Sequence, residues 1–176
     1  MSAPITVFTN PRHSGHAGRH EMFRGRLVPC VEVPARIEQV LAELQRRPLG
    51  PLVEPPPVAR ERIERVHAPR YLHFLENAWA EWLALDPTHA ELDALPAVWP
   101  VRGMRADAEP ASFAGRMGLY SFDAGTPLTA GTWAAALGGA AAAVAAAQSV
   151  RADGGPRAAF ALTRPPGHHA GPDFFG

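Results

Sequence analysis

Ala158-Ala159-Phe160-Ala161-Leu162-Thr163-Arg164-Pro165-Pro166-Gly167-His168-His169-Ala170 is the stretch from which the rest of the chain can be read. Its first six residues form a short apolar run with the length and bulk of a buried strand. Two prolines and a glycine then stop ladder pairing and force a turn. Two adjacent imidazoles follow on that stiff loop. In open α/β sheets, ligands bind beyond the carboxyl ends of the strands. A histidine pair placed just after a strand is therefore a candidate proton-transfer group, although a bare His-His pair is also compatible with an ordinary surface turn.

Working outward, the 176 residues suffice for one domain with its own core. Seventeen acidic residues balance seventeen basic ones, which argues against a nucleic-acid partner, since that needs a clustered basic face. All the basic residues are arginine, a bias that fits a GC-rich genome. Cys30 is the one cysteine, so neither a disulfide framework nor a multi-thiolate zinc site is expected, and a reducing, cytoplasmic location is. The start of the chain lacks a positive region followed by an apolar core of signal-peptide length. Residues 130–150 are long enough to span a bilayer but consist mainly of alanine and glycine. A buried helix is the expectation there, and no membrane partner.

Ile5-Thr6-Val7-Phe8-Thr9 reads as a first strand ending at Asn10-Pro11. The loop after it carries His13, His16 and His20, at spacings that would share one helix face. Gly15 and Gly18 argue against a helix, and no carboxylate or thiolate signature accompanies the trio, so metal binding there is not expected. Pro34 suits a first helical position, and Ile37, Val40, Leu41 and Leu44 recur at helical spacing until Pro48 and Gly50. Arg36 falls in that helix's first turn, where the dipole disfavours a cation. After Glu54-Pro55-Pro56-Pro57, a short helix is predicted over residues 60–66. A longer one opens at Pro69, with Leu72, Leu75, Trp79, Trp82 and Leu83 as its apolar stripe. Residues 86–118 read as an irregular loop. Asp123-Ala124-Gly125 predicts a turn, and Thr132 is a candidate cap for an alanine-rich helix with Trp133, Leu137, Ala140 and Val144 buried. Gly138-Gly139 inside that helix suggests tight packing rather than a ligand loop.

Residues 164–170, RPPGHHA, resemble the His-His loop of the histone deacetylase and acetylpolyamine amidohydrolase family. Three further segments resemble the family in the same order. These are Leu27-Val28-Pro29 with Glu32, Pro34 and Arg36; the phrase beginning Val66-His67; and the helix entry from Thr126-Pro127 to Trp133. The resemblance runs from about Phe8 to Gly176 and is nearest the polyamine branch. It implies an α/β protein: a three-layer α/β/α arginase/deacetylase-like fold with a mostly parallel sheet, truncated here to its amino-terminal strands and helices.

The implied activity is zinc-dependent removal of an acetyl group from a small-molecule amine such as an acetylpolyamine, or from acetyl-lysine. His169 would be the general base and acid and His168 its electrostatic neighbour. Arg36, as a carboxylate fork, Gly167 and Glu21 would belong to the substrate and product pocket, and His67 would be a capping or supporting residue. Two acidic positions of polyamine-cleaving members fall here on Ala114 and Gly125, which weakens the case for a polycationic substrate, whereas Glu21 is retained. The family's zinc ligands and oxyanion-binding tyrosine would follow the His-His loop. The resemblance therefore implies that residues 1–176 are the amino-terminal part of a single deacetylase domain, with no metal ligand of its own and inactive alone. A homodimer of the complete enzyme is allowed. The alternative is a non-catalytic remnant that binds or dimerises through residues 86–118.

Overall fold

The computed structural model describes residues 4–101, 103–105 and 107–176. Met1–Ala3, at the start read for a signal segment, and Arg102 and Ala106 of the 86–118 loop lie outside them. The chain forms two compact units. One comprises residues 4–17, 32–59 and 131–165, and the other residues 18–31, 60–130 and 166–176.

The first unit is built on the two strands that the apolar runs predict. β1 (Thr6–Thr9) and β5 (Ala159–Leu162) pair in parallel, Val7 opposite Phe160 and Phe8 opposite Ala161. A third strand, β4 (Leu52–Val53), pairs in parallel on the other side of β1, giving the order β4-β1-β5. At two residues, β4 is too short to leave a periodic signal in the sequence.

Alternation along β1 sends successive side chains to opposite faces. Val7 packs with Leu162 against Ile37 and Leu44 of α1 (Ala35–Arg46). Phe8 packs against Ala142 and Ala146 of α5 (Thr132–Arg151). Helix, parallel sheet and helix make three layers. Val7 is wholly buried, and an aliphatic side chain so placed contributes about 1.5–3 kcal/mol.

The α1 stripe holds at Ile37, Leu41 and Leu44, but Val40 is exposed. On α5 the expected stripe is rotated, the buried positions being Ala135, Ala141, Ala142 and Ala146. The reason is proximity: a Cβ on Gly138 would lie 2.1 Å from Asn10 Oδ1, and one on Gly139 2.6 Å from Thr163 Oγ1. The face with the smallest side chains faces the strands, and Leu137 and Val144 are only half-buried. α5 is long and apolar enough to cross a membrane by length and composition, and here it packs on β1 and β5. Thr132 does not cap it, because Gly131 occupies the cap position.

The second unit has an aromatic core of Tyr71, Phe74, Phe113, Met117, Tyr120, Leu128 and Phe175. α2 (Arg60–Glu64) and α3 (Pro69–Leu85) start where the prolines and charges predict. The buried stripe of α3 is Tyr71, Phe74 and Ala78 together with Leu72, and Trp79 is only half-buried.

Two elements here are not expected from the sequence. β2 (His20–Phe23) and β3 (Arg26–Pro29) form an antiparallel hairpin closed by Arg24-Gly25. Both turn residues have positive φ, 50° and 76°, as a two-residue mirror-image turn requires. α4 (Phe113–Leu119) interrupts the supposed loop, with Ser112 Oγ accepting the Gly115 N–H at its start.

Candidate active-site loop

The turn that carries the histidines begins in the first unit, at Arg164. This arginine is only 2% exposed, and all of its donor nitrogens are engaged. Nε donates to Glu32 Oε1 at 2.9 Å, and Nη2 donates to Glu32 Oε2 at 2.6 Å, a bidentate fork. Nη1 donates to the carbonyls of His13 and His16 at 2.5 and 2.6 Å. Asn10 Nδ2 donates to the carbonyls of Arg164 and Ala135 at 2.9 and 2.8 Å. The chain leaving β5 is therefore held through both the side chain and the backbone of Arg164.

Two of the three amino-terminal histidines belong to this framework. His16 is buried, with Nδ1 2.8 Å from the hydroxyl of Thr132. His13 opens a short 3-10 turn, and its Nδ1 is buried without a hydrogen-bond partner. Burial lowers the pKa of His13, and the Arg164 guanidinium lowers it further, against weaker opposing effects of Glu38 and Glu32. Arg36 lies on the first turn of α1, exposed, within this same unit.

In the second unit, Ala170 N donates to Gly167 O at 3.0 Å. This closes a four-residue turn with His168 and His169 as its two central residues. Their rings lie 3.9 Å apart, and His169 stacks face to face on Phe122 at 4.6 Å with 2° between the planes. The backbone on both sides is stitched to the same neighbours. His169 N donates to Gly176 O, Phe175 N to Tyr120 O, and Phe122 N to Phe175 O. His67 Nδ1 lies 3.1 Å from Gly171 O, and Ala68 N donates to Pro172 O at 2.8 Å, so the start of α3 supports the loop. Both histidine rings are exposed. Glu21, half-buried on β2, is in the same unit; Gly167 supplies the turn's acceptor carbonyl.

Of the residues singled out from the sequence, Gly167, His168 and His169 share one turn, while Arg36 and Glu21 stand on separate elements. Sequence reasoning missed Glu32 as the partner of Arg164, and Phe122 as the platform for His169. Glu32 falls within a matching segment and Phe122 just ahead of one, but their partners lie 132 and 47 positions away, beyond any local pattern.

Among the described residues, no group of three or more His, Cys, Asp or Glu side chains converges so as to hold a metal ion. By themselves the described residues do not supply a ligand set for a catalytic zinc ion. The two tyrosines are core residues. Burial raises the pKa of Tyr71, and burial together with the hydrogen bond to Glu109 pushes Tyr120 up to about 12.

This geometry, a histidine turn after a strand of a three-layer α/β/α unit, agrees with the comparisons to known proteins. Residues 30–175 match the histone deacetylase domain. Acetylpolyamine amidohydrolase 2 of Pseudomonas aeruginosa is 44% identical over 98% of this chain, and the enzyme of Mycoplana ramosa 38% identical over 98%. These alignments cover 48% and 49% of the relatives, so the chain spans about half the length of the curated relatives it matches. The crystal structure of acetylpolyamine aminohydrolase from Burkholderia pseudomallei superposes with a TM-score of 0.84 at 33% identity, covering 98% of this chain and 48% of that one. The HD domain of HDA15 shares the fold, with a TM-score of 0.60 at 18% identity, covering 99% of this chain and 39% of that one. The chain belongs to the histone deacetylase domain family.

Proposed function

We propose that these residues form the proton-transfer half of a zinc-dependent amidohydrolase that removes acetyl groups from a small amine of the acetylpolyamine type. The relatives, which share 38–44% identity and carry acetylpolyamine amidohydrolase names, support this reading. The observation that carries it is the turn itself, with two imidazoles 3.9 Å apart and one of them held flat against Phe122. Imidazole is the side chain best suited to exchange a proton near neutral pH. His169, with its ring plane fixed by the stack, would take a proton from the attacking water and return it to the leaving amine. His168 would bias that exchange electrostatically. Arg36 would hold the carboxylate product, and Glu21, with the Gly167 turn, would face the amine. Zinc, when bound, would polarise the acyl carbonyl. Its ligands would come from the part of the domain outside residues 1–176, in a reducing, cytoplasmic setting.

On this reading the isolated chain does not hydrolyse acetylputrescine. It does so when co-expressed with the half of the Pseudomonas relative that lies outside the matched region, in zinc-containing medium. In that assembly His169→Ala lowers turnover roughly 100-fold or more while zinc content stays unchanged. Activity of the chain alone, or zinc lost with His169, would overturn the assignment.

A second, non-catalytic reading has its own observation. Leu92, Val98, Trp99, Val101 and Met104 are all exposed within one loop of the second unit, as on a docking surface. It expects a folded dimer of the chain by itself, and a monodisperse monomer in size-exclusion chromatography would remove it.

A further inference from the structure

A cavity of about 200 Å³ opens in the first unit, lined by residues that the proposed chemistry does not use. Its floor is one face of α5, where Leu137, Gly138 and Ala141 recur at spacings of three and four. Its walls are the segments that leave two adjacent parallel strands. Arg12 follows β1, and Glu54, Pro55 and Pro57 follow β4 directly. The connection from β1 leads to α1 on one face of the sheet, whereas the connection from β4 leads on to α5 on the other. Adjacent carboxyl ends whose connections part to opposite faces form the kind of crevice in which open α/β sheets hold ligands.

The walls are fixed before any ligand arrives. Pro55 is buried, and proline holds φ near one value, so the β4 side is stiff. On the β1 side, Arg12 N donates to Asn10 Oδ1 at 3.1 Å, and Asn10 is itself buried and bound to the carbonyls of Ala135 and Arg164. An apolar cavity of about 150 Å³ holds benzene, so this one takes roughly eight non-hydrogen atoms, the size of a five-carbon amino acid. Among the described residues, neither the Arg12 nor the Glu54 side chain has a hydrogen-bond or ion-pair partner, and the two are not paired with each other. The cavity thus offers one cation and one anion, held apart, above an aliphatic floor.

We propose that this cavity binds a small zwitterion, an aliphatic amino acid. Its carboxylate accepts from the Arg12 guanidinium, its ammonium donates to Glu54, and its hydrocarbon body lies on Leu137 and Ala141. A guanidinium is a planar fork suited to a carboxylate. A simple anion would gain from Arg12 and be repelled by Glu54, and a simple amine would meet the reverse. Only a ligand carrying both charges satisfies both walls.

The test titrates the isotopically labelled chain with valine and with its straight-chain isomer 5-aminopentanoate, following backbone amide shifts by NMR. One or both should shift the amides of Arg12, Leu137 and Gly138, saturating with a Kd on the order of millimolar for a ligand this small. Pentanoate and pentylamine, each with only one of the two charges, should bind roughly tenfold or more weakly. Arg12→Gln and Glu54→Gln should each weaken the amino acid by a similar factor while leaving the urea midpoint unchanged, since both side chains are exposed. Arg24→Gln, at an exposed arginine of the other unit, should change nothing. The proposal is overturned by shifts that do not saturate or that fall elsewhere. It is equally overturned by a singly charged analogue that binds as tightly as the amino acid, or by either glutamine variant leaving the affinity unaltered. If a variant lowers the urea midpoint, the analogues, measured on the unaltered chain, decide. No hydrolysis enters the assay, so its outcome is independent of the proposed function.

Discussion

Arg164 and His169 stand five positions apart in one short motif, yet their physical situations are opposite. The arginine is fully buried and its donors are bound by Glu32, His13 and His16. The histidine is exposed, held by one aromatic face and a backbone hydrogen bond. The motif's anchoring contacts centre on Arg164, and its proposed proton transfer on His169. A buried guanidinium must be matched group for group, because an unpaired charge in the interior is strongly destabilising. A proton-transfer ring must instead remain open on one side to reach a substrate.

The largest effect should come from breaking the anchored end. Arg164→Met leaves the Glu32 carboxylate without its partner and three backbone carbonyls without that donor, and should cost about 3–5 kcal/mol, read as a lowered urea midpoint. A loss below about 1 kcal/mol would mean that the fork is incidental. Gly138→Ala attacks the same end indirectly. The new methyl group would meet Asn10 Oδ1 and displace the side chain that holds the Arg164 carbonyl, for about 1–3 kcal/mol in the same measurement.

The pH dependence sharpens the contrast at His13. Its folded pKa lies below 6.5, so the unfolded chain takes up the proton first as pH falls. Stability should therefore be full above about 6.5 and decline on acidification through and below that value, until the folded form also binds its proton. His13→Gln should flatten that decline, and an unchanged slope would assign the acid sensitivity elsewhere. The smallest stability effect belongs to Arg36→Ala, an exposed position, expected within about 0.5 kcal/mol. A large change there would show a structural role in place of the proposed product-binding one.

Legibility followed the same divide between local and distant causes. β1, β5, α1, α3 and α5 were readable because their apolar periods and bounding prolines are local signals. The hairpin escaped because Arg24-Gly25 lacks the usual Asn-Gly signature and its strands, HEMF and RLVP, do not alternate cleanly. α4 was hidden by surrounding prolines, although the Ser112 cap was available as a clue. The buried face of α5 was misjudged for a different reason. Bulk usually marks burial, whereas here Gly138 and Gly139 lie so close to the Asn10 and Thr163 side chains just past the strand ends that a Cβ would clash.

Residue order alone was enough to establish the strand-turn-histidine unit, the family resemblance and most helix starts, since each depends on neighbours within a few positions. Only the folded chain disclosed that Glu32 pairs with Arg164 and that Phe122 stacks on His169. Those facts depend on groups far apart in sequence meeting in space, where burial sets the cost of every unpaired donor and charge.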